Sequence, residues 1–275
     1  MSDPVWASRM GTAACHVLPA GLAHPGWETE GQAGSRGGRM RIILVHGAWS
    51  RADCWERVSA LLAGAGHDVE AVDLPGHGAD PTPPEEVTLA HYAEALRARL
   101  ERCEPAVLVG HSMGGMAISA AAELVPERVR RLIYVAAFLP RDGDSLLSLK
   151  KLEPETIGPA VRRGPVRGTT VLDPALAGDI LFQDLPGPAQ QAALALLGPQ
   201  ANAPQTDPIH LRAESFGRVA RDYILCRHDR TVTPELQARM CDWSPCRRVE
   251  TLEAGHFPQL SRPEDLSDMI LSLLG

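Results

Sequence analysis

The stretch AVLVGHSMGGMAISAAAEL, Ala106–Leu124, constrains the fold more than any other part of the chain. Four apolar residues run into Gly110-His111-Ser112-Met113-Gly114, a second glycine follows at Gly115, and the pattern then changes to small and apolar residues suited to a helix. A buried strand that turns sharply into a helix needs neighbours without bulky side chains at the corner, and the G-x-S-x-G spacing supplies them. The serine at such a corner is presented at a helix N-terminus, whose free N–H groups favour a developing negative charge. Ser112 is therefore a candidate nucleophile, although five residues alone also fit a plain glycine turn.

The flanking sequence repeats the same rhythm. MRIILVHGAW is a short apolar strand ending in a glycine turn, as expected when both faces are buried. A helix is expected from Asp53 to Ala63, and HDVEAVDLPGHG reads as a second strand closed by a Pro-Gly loop. TLAHYAEALRARLERC reads as a helix with Thr88 as N-cap and Leu89, Tyr92, Ala93, Leu96 and Leu100 along one face. PAVLVG and VRRLIYVAAFLP supply the next strands. Alternating strands and helices with short connections predict an α/β fold, a mainly parallel sheet flanked by helices.

From Arg141 to Arg221 the rhythm breaks into prolines, glycines and isolated amphipathic pieces such as GPAQQAALALLG. It resumes with RDYILCRHD, a helix from about Pro234, the strand CRRVETLEAGH and the helix RPEDLSDMILSLLG. The pattern predicts a core over 40–140 and 222–275 with an inserted, mainly helical cap over 141–221, and no convincing strands within the cap. Residues 1–39 are rich in Gly, Ala and Pro without periodicity, which predicts a disordered extension. They lack the continuous apolar core of a secretory signal, and Met40, directly before the first strand, could serve as the start.

Composition excludes some functions. With a formal net charge of -7 and no Lys/Arg block, a nucleic-acid partner is not expected. The longest apolar run, LIYVAAFL, falls far short of the roughly 20 residues that cross a bilayer, so no membrane span is expected. Six scattered cysteines, with only CDWSPC as a close pair, suit reduced thiols and a cytoplasmic location rather than a zinc site. A homodimer is compatible with the sequence but not dictated by it.

A serine hydroxyl needs a histidine base, and that histidine needs an acid to hold its tautomer. LEAGHFPQL places His256 in a loop after a strand, and CRHDRTVTP places Asp229 in the loop leaving another. The order Ser112, Asp229, His256 is the one this topology requires. Asp142 and Asp144 also follow a strand end and remain alternative acids, while Asp222 begins a strand. His111 sits inside the corner and His77 in a Pro-Gly loop, so neither is placed to act as the base. The oxyanion donors expected are the N–H groups of Met113, after the nucleophile, and of Ala48, in the loop after the first strand. Trp49, Leu139, Leu146, Leu147, Leu181 and Phe182 are expected to line the substrate pocket, together with Met113.

From Met40 onward these residues resemble the α/β-hydrolase superfamily. LVHGAW, VDLPGHG, LVGHSMGGM, YVAAFLP, DRTVTPELQ and GHFPQLSRPEDL are similar to the branch holding the methylesterases and hydroxynitrile lyases first known in plants, with many bacterial esterases. The resemblance implies a Ser112-Asp229-His256 triad, Ala48 and Met113 as oxyanion donors, an ester substrate, and no requirement for a metal or organic cofactor. The lyase members carry threonine after the first-strand histidine and lysine after the catalytic histidine; here Gly47 and Phe257 stand there, so the resemblance implies hydrolysis rather than cyanohydrin cleavage. The alternatives are a hydroxynitrile lyase or perhydrolase on the same triad, and a ligand receptor that keeps the triad but turns over slowly.

Overall fold

The computed structural model describes residues 38–275; of the extension expected at 1–39, residues 1–37 lie outside the described residues. The chain enters β1 (Arg41–Val45), turns through a 3-10 segment (Ala52–Trp55) into α1 (Glu56–Gly64), and continues through β2 (Asp68–Val72) to α2 (Leu89–Leu100). Thr88 caps α2 as expected, in a reciprocal capping box with His91. β3 (Ala106–His111), α3 (Gly114–Leu124) and β4 (Val129–Val135) follow.

Between β4 and the next long strand lie α4 (Leu146–Lys150), β5 (Val161–Arg163), β6 (Thr169–Leu172), α5 (Pro174–Leu181), α6 (Gly187–Leu194), β7 (Gln200–Ala201) and α7 (Ala203–Thr206). The last part holds β8 (Arg221–Cys226), α8 (Pro234–Trp243), β9 (Arg248–Leu252), α9 (Pro258–Ser261) and α10 (Pro263–Leu274).

β5, β6 and β7 form a small antiparallel sheet, which corrects the expectation that the cap has no strands. VRR, TTVL and QA are too short to show a period of two, and a turn through Gly168, at φ +82°, separates the first two.

The main sheet has the order β2-β1-β3-β4-β8-β9, with every pair parallel. Its inner strands β1, β3 and β4 are apolar on both faces over most of their length, so their alternate residues feed two cores. Ile43, Val45, Leu108, Leu132 and Tyr134 pack with Tyr92 and Leu96 of α2, Ile118 of α3 and Met240 of α8. Ile42, Leu44, Val107, Val109 and Ile133 pack instead with Val58 and Leu62 of α1 and Leu266 and Ile270 of α10. Leu44 is fully buried, and truncating it to alanine would cost about 2–5 kcal/mol.

Chain order reverses beside β1: its first connection runs to β2 on one side and the next returns to β3 on the other. Loops leaving the carboxyl ends of β1 and β3 diverge at such a switch point and leave a crevice for a ligand. Residues 46–50 and the Ser112 corner are those two loops.

Candidate active site

Ser112 follows β3 with φ +53°, a left-handed backbone that costs a non-glycine residue about 1–3 kcal/mol. The surroundings hold it there. Ser112 N–H donates to Val135 O (3.3 Å), while Ser112 O accepts from Gly115 N–H (3.0 Å) and Phe138 N–H (3.1 Å). The glycines answer to close approach: a Cβ on Gly110 would meet Gly114 O at 2.8 Å, and one on Gly114 would meet Val45 O and His46 O at 2.8 Å. A Cβ on Gly115 would collide with Phe138 O.

His256 lies between β9 and α9, and its Nε2 is 3.1 Å from Ser112 Oγ. Its Nδ1 is 2.8 Å from Asp229 Oδ2. An Nδ1–H donated to the carboxylate leaves Nε2 as acceptor for the serine proton, the tautomer a general base requires. Asp229 is itself held: Oδ1 accepts from the N–H groups of Thr231 (2.7 Å) and Val232 (3.0 Å), and Oδ2 from Gln237 Nε2 (3.3 Å). Ser112 is 6% and His256 2% exposed, so this chain of bonds is well shielded from water.

The alternative acids lie elsewhere. Asp142 accepts from Leu211 N–H (2.9 Å), Asp144 pairs with Arg141 (3.0 Å), and Asp222 is buried between Arg131 (3.6 Å) and Arg247 (3.4 Å). Burial raises the Asp222 carboxyl even against those two guanidinium groups. His111 donates from Nε2 to His256 O (2.7 Å), which anchors the loop carrying His256, and burial drives its pKa well down. His77 is bound to Ser50 O (2.9 Å) and Tyr92 Oη (3.0 Å), and burial lowers its pKa to about 3.

Two amide donors remain beside Ser112. Among the described residues, no hydrogen bond engages the N–H of Ala48 or Met113. The loop carrying Ala48 presses on the corner, since a Cβ on Gly47 would lie 2.7 Å from Ser112 Cβ. Gly47 O, on the same peptide plane as the Ala48 N–H, accepts from His46 Nδ1 (2.8 Å) and Ser50 N–H (3.4 Å).

The six residues expected in the pocket separate. Trp49, Leu181 and Phe182 cluster with Phe257, whose ring is 4.8 Å from Phe182 and 5.4 Å from His256. Leu139 and Leu146 pack with Met113 in the main core. Leu147 is 41% exposed, because Leu146 and Leu149 take the buried face of α4 and Leu147 points about 100° away from Leu146.

Several supporting residues escaped the sequence reading. Gln237 braces Asp229, Gln183 Nε2 donates to His228 O (2.7 Å), and Asp184 Oδ2 accepts from Gly255 N–H (2.7 Å). No local pattern marks an isolated glutamine or aspartate whose partner is distant in sequence.

Comparison with known proteins identifies the family and its relatives. A family model described as the alpha/beta hydrolase family matches residues 42–269. Esterase PIR7B of Oryza sativa subsp. japonica is 31% identical over 263 residues, covering 87% of this chain and 97% of that protein. Methylesterase 7 of Arabidopsis thaliana is 29% identical over 86% of this chain and 96% of its own length, whereas the match spans 56% of a chloroplastic methylesterase 13 from the same plant. The crystal structure of polyneuridine aldehyde esterase superposes with a TM-score of 0.77 at 26% identity, covering 86% of this chain and all of that one.

Proposed function

The chain belongs to the alpha/beta hydrolase family, and from that premise we propose that it is a serine esterase cleaving small to medium apolar carboxylic esters. The observation that carries the reading is the two-bond chain from Ser112 Oγ through His256 to Asp229, at 3.1 and 2.8 Å. The names of the relatives, esterases and methylesterases, support the same reaction class.

In this reading His256 Nε2 takes the Ser112 proton as Oγ attacks the ester carbonyl carbon. The new C–O bond pushes the carbonyl electron pair onto oxygen, and the N–H groups of Ala48 and Met113 receive that oxyanion. As the pair returns, the bond to the alcohol oxygen breaks and His256 delivers its proton to the leaving alcohol. Water then repeats the sequence on the acyl-enzyme, releasing the acid and restoring Ser112. Asp229 keeps the imidazole oriented and stabilises its protonated form throughout.

Trp49, Leu181, Phe182 and Phe257 favour an apolar acyl or alcohol group. Cyanohydrin cleavage on the same triad is disfavoured: Phe257, the residue after His256, packs 4.6 Å from His111, and an apolar ring offers no charge to departing cyanide.

The test is hydrolysis of p-nitrophenyl esters from acetate to decanoate, with methyl esters alongside, by wild type and Ser112→Ala. Wild-type turnover with a kcat about 10⁴–10⁶-fold lower in Ser112→Ala is expected. Equal turnover in the two proteins would remove Ser112 from the reaction.

A further inference from the structure

The loop after β1 holds a bulky aromatic residue where glycine would be easier: Trp49 has φ +57°. Its polar groups are all taken by β6, β7 and the residues just before β7. The Trp49 N–H donates to Gln200 Oε1 (3.2 Å), its carbonyl accepts from Gly198 N–H (2.7 Å), and its indole Nε1–H donates to Thr170 Oγ1 (3.1 Å).

Gln200 is fully buried and its amide has one consistent orientation. Oε1 must face the Trp49 N–H, because Nε2 donates to Tyr92 Oη (3.2 Å) and Ala201 O (2.9 Å). Tyr92 in turn donates its hydroxyl proton to His77 Nε2 (3.0 Å), which leaves His77 Nδ1–H to donate to Ser50 O (2.9 Å). Trp49 and Ser50 are thus gripped from β7 on one side and from the His77 loop and α2 on the other.

Ala48 lies inside that grip. The peptide before it is oriented through Gly47 O by His46 and Ser50, and the peptide after it is oriented through the Trp49 N–H by Gln200. We propose that Gln200 is a positioning residue: by accepting the Trp49 N–H it holds the strained loop so that the Ala48 N–H points at the oxyanion, making β7 of the cap part of the oxyanion machinery. The inference rests on the esterase reading above and extends it. Catalysis is sensitive to such placement, since a misplacement of about 1 Å costs on the order of 100-fold.

The experiment compares Gln200→Met, which keeps the length and removes the acceptor, with Gln200→Glu, which keeps an acceptor oxygen and, as the neutral acid, one donor. Steady-state kinetics on p-nitrophenyl butyrate and inactivation by diethyl p-nitrophenyl phosphate, whose phosphoryl oxygen occupies the oxyanion position, are measured with the thermal midpoint of each protein. For Gln200→Met, kcat and the inactivation rate should fall together by about 10- to 100-fold while KM stays within about threefold. Gln200→Glu should recover most of that loss at pH 6, and lose it again as the buried acid ionises at higher pH.

Unchanged kcat in folded Gln200→Met, or a rise in KM alone, would overturn the proposal. If Gln200→Met does not fold, Tyr92→Phe decides: it removes the hydroxyl that holds the Gln200 amide, and a kcat lowered about threefold or more supports the proposal, whereas wild-type kinetics overturn it. An inactive Ser112→Ala beside a fully active Gln200→Met removes the positioning role alone. A fully active Ser112→Ala removes the esterase reading itself.

Discussion

Lowering the pH from 7.5 to 5.5 should destabilise the fold through its buried histidines. His46, His77 and His111 are buried, and burial lowers the pKa of His46 to about 4, that of His77 to about 3 and that of His111 well below its ordinary value. Burial holds all three neutral; His46 Nε2 also accepts from Leu74 N–H (3.1 Å) and His77 Nε2 from the Tyr92 hydroxyl (3.0 Å), whereas the bond from His111 to His256 O works against burial without overcoming it. In the unfolded chain each takes up a proton near pH 6.5. Between there and the folded pKa the unfolded state binds more protons, so stability is complete above about 6.5 and declines as pH falls.

At pH 5.5 the loss is about 1.4 kcal/mol for each histidine, about 4 kcal/mol for three. For His46 and His77 it does not depend on the exact folded values, about 4 and about 3, because pH 5.5 lies above both, and His111 acts in the same direction. The buried Asp222 works in the opposite sense, but its raised pKa acts from its unfolded value of 3.8 upward and does not mimic the histidine slope. Urea unfolding at half-unit pH steps should give a free energy whose slope approaches three protons below pH 6, and His77→Gln should reduce that slope by about one proton. A stability flat from pH 7.5 to 5.5 would refute the argument.

Other substitutions test separate contacts. Gly47→Ala puts a Cβ 2.7 Å from Ser112 Cβ, so kcat for an ester substrate should fall about 100-fold with the fold retained by circular dichroism. Gln237→Leu strips a donor from Asp229 Oδ2 and an acceptor from Cys226 N–H (3.0 Å), and should cost about 1–3 kcal/mol in urea unfolding as well as kcat. Leu147→Gln, at an exposed position, should leave esterase kinetics unchanged and shift stability by no more than about 0.5 kcal/mol.

The core of the fold was legible because its inner strands are buried on both faces over most of their length and are therefore written as apolar runs: IILV, AVLV and LIYV. The corner was legible because sterics leave Gly110, Gly114 and Gly115 no alternative, with backbone oxygens where their Cβ atoms would be. Asp229 was the acid expected, but the sequence left Asp142 and Asp144 as alternatives, since all three follow strands and only three-dimensional proximity to His256 separates them. Nor were β5, β6 and β7, whose few residues carry no measurable period. Gln200 was invisible for a different reason: its partner Trp49 lies 151 residues away, and a lone glutamine carries no signature of that contact.

The most direct test of the account is where a mechanism-based label lands. Diethyl p-nitrophenyl phosphate should transfer its diethylphosphoryl group once per chain, to Ser112 Oγ with release of p-nitrophenolate, as read by intact mass and peptide mapping, and His256→Ala should slow the labelling by a factor on the order of 10³–10⁴. Labelling at another residue, or at an undiminished rate in His256→Ala, would contradict a nucleophile at Ser112 activated by His256.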